Sequence, residues 1–163
     1  MFTTTAGMVF KSSKLRSECV SHEHCISLTL DRGTYGQTAW LDPGMLWEQF
    51  IEQNFDYYDG SQGYIKMWKS GAAHPTTFEF VRIREYPESL FFSASFVECW
   101  VHGDCAGADG GVVLESNNPD CYHQGGRAHC PPGNPKDCYI KPDDRHTKVC
   151  YANTDLTFTL CSG

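Results

Sequence analysis

From Asp155 to Cys161 the chain alternates Leu156, Phe158 and Leu160 against Thr157 and Thr159. That period of two is the signature of a strand with one buried face. Thr76 to Glu85 and Leu90 to Val101 are rich in aromatic and β-branched residues and flank Tyr86-Pro-Glu-Ser89. The spacing predicts a hairpin closed by a four-residue turn, with Pro87 in a permitted place. Cys25 to Leu30, Thr34 to Trp40 and Tyr64 to Trp68 are weaker strand candidates. One segment has a helical period: Leu46, Trp47, Phe50 and Ile51 share a face, and Asp42-Pro43 supplies a cap and a first-turn proline. A helix is therefore expected from Asp42 to about Asn54. Packing this helix on the hairpin would bury Trp47, Phe50, Ile51, Phe78, Phe80, Phe92 and Phe96.

Between Gly103 and His146 periodicity disappears and Gly, Pro, Asn and Asp dominate. A long irregular region is expected there, and ordering it costs roughly 1–2 kcal/mol per residue in conformational entropy. The nine cysteines supply the compensation: Cys19, Cys25, Cys99, Cys105, Cys121, Cys130, Cys138, Cys150 and Cys161. At this density, with no regular CxxC pairs, they imply disulfides and an oxidising, extracellular compartment. The expected fold is mainly β with one helix, a disulfide-stapled β-sandwich-like domain carrying a long irregular Cys-rich region. Local pairing of Cys19 with Cys25 and of Cys99 with Cys105 is feasible, though long-range partners remain open to the sequence. An odd count leaves at least one thiol over, and the region from Cys121 to Cys161 is where it is expected.

At 163 residues the chain reads as a single domain, 1–163. Glu18-Cys-Val-Ser-His-Glu-His-Cys25 and Glu98-Cys-Trp-Val-His-Gly-Asp-Cys105 lie 80 residues apart, so an internal duplication near 1–80 and 81–163 is an alternative. The net charge of −7 is evenly spread, and no basic cluster is dense enough to displace counterions from nucleic acid. No apolar run is long enough for a membrane span. Thr3, Thr4, Thr5 and Gly7 break any signal-peptide core, so a mature or excised domain is expected.

Candidate chemistry is sparse. His22 and His24, two apart and on one face of an extended segment, form a candidate metal pair, with His102 and Asp104 as a second set. Thiolate ligation would compete with disulfide formation, and no cofactor is expected. Cys19-Val-Ser-His-Glu-His-Cys25 also resembles part of the active-site segment of secreted phospholipases A2. That likeness implies His22 as a water-activating base beside Glu23, with calcium stabilising the oxyanion; Glu18 stands where the family has a further cysteine.

Phe78-Glu-Phe-Val81, Leu90-Phe-Phe92 and Val97-Glu-Cys-Trp-Val-His-Gly-Asp-Cys105 resemble, over about 30 residues, the strand run of the C-terminal half of zona pellucida modules. The resemblance implies an immunoglobulin-like sandwich that polymerises into extracellular filaments or coats. The cysteine spacing here is one residue longer than in that family. Taken together, these features predict a secreted binding or structural module whose partners are other extracellular proteins or copies of itself. Trp100, Tyr122, Tyr139 and Tyr151 are its candidate aromatic contacts. A small secreted hydrolase using His22 or His102, or a toxin or effector, is the alternative.

Overall fold

The computed structural model describes residues 10–17, 28–31, 39–41, 46–51, 62–69, 71–81, 85–86, 88–121, 126–151 and 154–160, with side chains from Tyr64 onward. The strands of these segments divide between two sheets. One holds β1 (Phe10–Ser17), β4 (Leu46–Ile51), β8 (Val112–Ser116), β9 (Arg127–Cys130) and β11 (Leu156–Leu160), in the order β4-β1-β11-β8-β9. The other holds β2 (Leu28–Asp31), β3 (Ala39–Leu41), β5 (Gln62–Lys69), β6 (Thr76–Val81), β7 (Ser89–Ser95) and β10 (Lys148–Tyr151), in the order β10-β7-β6-β5-β2-β3. Pairing is antiparallel except between β1 and β11, which run parallel with Leu15 opposite Phe158.

The alternation of side chains closes the sandwich. Phe78 and Phe80 of β6 and Leu90, Phe92 and Ala94 of β7 point inward, as do Leu156, Phe158 and Leu160 of β11. Phe78 and Phe158 stack between the sheets, ring centroids 5.8 Å apart. Each large apolar side chain taken out of water contributes about 1.5–3 kcal/mol. Phe78, Phe80, Phe92 and Phe96 are buried as their spacing predicts, while the side chains of Trp47, Phe50 and Ile51 lie outside those described. The core also draws on Val112, Leu114, Ala128, Cys105, Cys121, Cys130 and Cys138, residues of the supposedly irregular stretch.

Two expectations are corrected. The helix over Asp42–Asn54 is not formed where the chain is described: Leu46–Ile51 is a strand, paired antiparallel with β1 from Arg16 opposite Leu46 to Phe10 opposite Ile51. A short apolar run satisfies either period, and pairing with a distant strand decides the outcome. Among the described residues there is no α-helix; a 3-10 turn is formed at Trp100–His102. The Gly103–His146 region is also more regular than expected, since β8 and β9 pair within it from Val112 opposite Cys130 to Glu115 opposite Arg127. Val112-Val113-Leu114 is a short β-rich run, and Ala128 and Cys130 alternate with exposed Arg127 and His129.

Candidate functional site

Topology gathers three irregular segments at one end of the sandwich. The β5–β6 turn precedes Thr76, residues 96–111 follow β7, and residues 131–139 follow β9; Thr77 pairs with Ser95 and Val112 with Cys130. Two cystines fix this end: Cys99–Cys105 and Cys130–Cys138. Cys121–Cys150 lies at the other, joining the segment after β8 to β10. Cys99–Cys105 was foreseen, whereas the other two pairings were not legible from spacing.

The Cys99–Cys105 loop begins with a tight turn in which Phe96 O accepts from the N–H groups of Cys99 and Trp100 at 3.0 and 2.8 Å. Gly103 ends the turn at φ 69°, where an L side chain would be strained. Its start is anchored by Trp100, which stacks on buried Phe96 at 6.1 Å. Cys105 forms a bridge with Trp68, and the Thr76 hydroxyl donates to Ala106 O at 2.8 Å. Between these fixed points Val101, His102 and Gly103 are exposed, with Val101 at 79% of its surface.

Against this loop sits the β5–β6 turn, and Asp104 ties the two together. Its Oδ2 accepts from the backbone N–H of Ala73 at 3.2 Å, the N–H of His74 at 3.3 Å and the His74 Nδ1 at 3.0 Å. His74 in turn lies flat on His102, centroids 3.7 Å apart and planes within 9°. Desolvation would raise the Asp104 carboxyl, but the hydrogen bonds from His74 and Ala73 outweigh it and hold the group below the usual carboxylate range. Asp104 Oδ1 is buried without a hydrogen bond. Two ion pairs border the cluster, Lys66 with Glu98 at 2.8 Å and Lys69 with Asp109 at 3.4 Å.

The arrangement is poorly suited to holding a metal ion. Parallel imidazoles direct their lone pairs into separate planes, and among the described residues no group of three or more His, Cys, Asp or Glu side chains is placed to hold a metal ion. His102 and Asp104, the second metal set expected from the sequence, are not placed in such a group; each instead contacts His74, which lies 28 residues upstream of His102 and carries no local signal. The metal pair His22 and His24, together with Glu23 of the phospholipase-like segment, lies outside the described residues, as do Cys19, Cys25, Cys161 and Tyr122.

The remaining aromatic candidates are dispersed. Trp100 serves the loop anchor. Tyr139 is half-buried, its backbone bonded to Ala94 O and Phe96 N and its hydroxyl 2.6 Å from that of Thr147. It sits in the loop-bearing end. Tyr151 is opposite Ser89 at the far end of β10 and is 38% exposed. No protein-family model and no curated protein matches this sequence.

Proposed function

We infer that this chain is a secreted binding or structural module that is covalently joined to extracellular partners or to further copies of itself. One observation carries the reading. The six described cystine residues pair with one another, so only Cys19, Cys25 and Cys161 of the nine remain, and three thiols cannot all be satisfied within one chain. In an oxidising compartment the thiol left over is available for a bond between chains. The β-sandwich-like architecture, with recognition loops held rigid by two cystines at one end, suits such a role because little ordering entropy is lost on contact. It is also the architecture implied by the zona pellucida resemblance, and a filament- or coat-forming function follows from that resemblance.

The test is electrophoresis and sedimentation of the natural protein, isolated with free thiols blocked. Reducible covalent multimers, or a reducible adduct with another extracellular protein, are expected. A strictly monomeric species with one buried, unreactive thiol would contradict the reading.

A further inference from the structure

We propose that Cys121–Cys150 is the exchangeable cystine of this molecule, a site where an external thiol is taken up on Cys121 by thiol–disulfide exchange, with Cys150 as the leaving group. Two observations set it apart from Cys99–Cys105 and Cys130–Cys138. The first is access: Cys121 is 8% exposed, whereas Cys99, Cys105, Cys130, Cys138 and Cys150 are exposed by 0% to 2%, so an incoming thiolate meets Cys121 first. The second is what faces the sulfurs. Ser116 Oγ lies 2.8 Å from Cys121 Sγ and 3.2 Å from Cys150 Sγ, and Thr154 Oγ1 lies 3.1 Å from Cys150 Sγ. A cystine sulfur has no proton to give, so in each contact the hydroxyl is the donor. Ser116 Oγ accepts from the Asn118 N–H at 2.9 Å and has one proton to direct, with Asn118 O, at 3.3 Å, as the longer alternative to the sulfurs.

The direction of the exchange follows from where the negative charge goes. A thiolate attacks Cys121 Sγ, a new S–S bond forms between the two, the bond to Cys150 breaks, and its electron pair leaves on Cys150 Sγ. The attacking sulfur is oxidised and the Cys150 sulfur reduced, so no further oxidant enters. Such a step is faster the better its leaving thiolate is stabilised, and hydrogen bonds to the charged form provide that. Cys150 has the Thr154 and Ser116 hydroxyls already in place, and Thr154 is 3% exposed, so water does not compete strongly for it. Around Cys99–Cys105 the polarity is reversed. Phe96 O lies 3.5 Å from Cys99 Sγ and 3.9 Å from Cys105 Sγ, where a carbonyl oxygen opposes a developing thiolate, and the Thr76 hydroxyl, 3.8 Å from Cys99 Sγ, is committed to Ala106 O at 2.8 Å. Cys121 follows β8 of one sheet and Cys150 lies on β10 of the other, so exchange cuts a covalent link between sheets while Cys99–Cys105 and Cys130–Cys138 keep the loop-bearing end fixed. This inference is independent of whether the chain assembles.

The probe is reduced glutathione, added at about pH 8 to the oxidised full chain after its free thiols have been blocked. Exchange is stopped with a second, isotopically distinct alkylating reagent, and the peptides are mapped without reduction. The first glutathione adduct is expected on Cys121, with Cys150 carrying the second alkyl group, before either of the other two described cystines opens. Thr154→Val is close to isosteric and removes the hydroxyl, so it should slow this opening by at least about threefold, and Thr154→Ser should restore the wild-type rate. A loosened fold would instead speed exchange at every cystine, so slowing at this one alone distinguishes the hydroxyl's role from a general loss of stability. Earlier opening of Cys99–Cys105 or Cys130–Cys138, glutathione carried on Cys150 instead of Cys121, or a Thr154→Val rate no slower than wild type would overturn the proposal.

Discussion

Glu79 shows how one residue on the outer face of the six-stranded sheet senses its surroundings. Burial, and then the nearby Glu98 charge, push its carboxyl above the usual range, against the pull of Lys66 and a hydrogen bond with Ser93. A raised pKa means the folded protein holds this proton more tightly than the unfolded chain, so the penalty is present at neutral pH and disappears as pH falls through the raised value. Glu79→Gln should stabilise at pH 7 by on the order of 0.5 kcal/mol and have no such benefit near pH 4, as urea titrations at the two values would show. Asp144 has the opposite sign. The N–H groups of Ile140 and Lys141, each 2.9 Å from its Oδ2, hold it low, so its contribution is present above about pH 4 and lost as pH drops below that. Phe96 is 1% exposed beneath Trp100, and Phe96→Ala should cost about 3–5 kcal/mol by denaturant titration. The burial of Phe78, Phe80, Phe92 and Phe96 was legible because neighbouring residues report their own periodicity. The His74–Asp104 contact was not, because it exists only once β6 and β7 are paired.

At the scale of elements, the hairpin of β6 and β7 and the terminal strand β11 follow directly from alternation and turn residues. Leu46–Ile51 misleads because four apolar residues in six fit both a helix stripe and a strand, and its partners on β1 lie 30 to 41 residues upstream. β8 and β9 were hidden by the glycines, prolines and asparagines around them, which signal turns without excluding short strands between. The cystines permit a ranking at this scale. Cys121–Cys150 closes a separation of 29 residues and Cys130–Cys138 one of 8. In the chain-entropy account their removal as Ser pairs costs about 3.5 and about 2.5 kcal/mol, so the longer loop should show the larger loss of melting temperature. Gly107, at φ 80°, is a similarly local constraint: a Cβ there would lie 2.7 Å from Leu160 Cδ2 and 2.9 Å from Val112 Cγ2. Gly107→Ala should destabilise by at least about 1 kcal/mol, read from the same unfolding transition.

For the molecule as a whole, the described cystines and the shared core join the two sheets and fix the loop-bearing end, consistent with life in an oxidising compartment. Composition alone conveyed that much, because nine cysteines in 163 residues have few other physical uses. Connectivity was beyond it: a 29-residue separation is one of many that spacing permits, and only the register of β10 on β7 brings Cys150 beside Cys121. Among the described residues no helix is long and apolar enough to cross a membrane. Six cysteines are spent on internal cystines, and the odd number left, Cys19, Cys25 and Cys161, is what the proposed interchain bond rests on. Non-reducing peptide mapping of the natural, thiol-blocked protein tests it most directly. The predicted result is Cys99 joined to Cys105, Cys121 to Cys150 and Cys130 to Cys138, with at least one of Cys19, Cys25 or Cys161 recovered in a peptide from another chain. Any of the six joined to one of those three, or all three recovered without an interchain link, would contradict it.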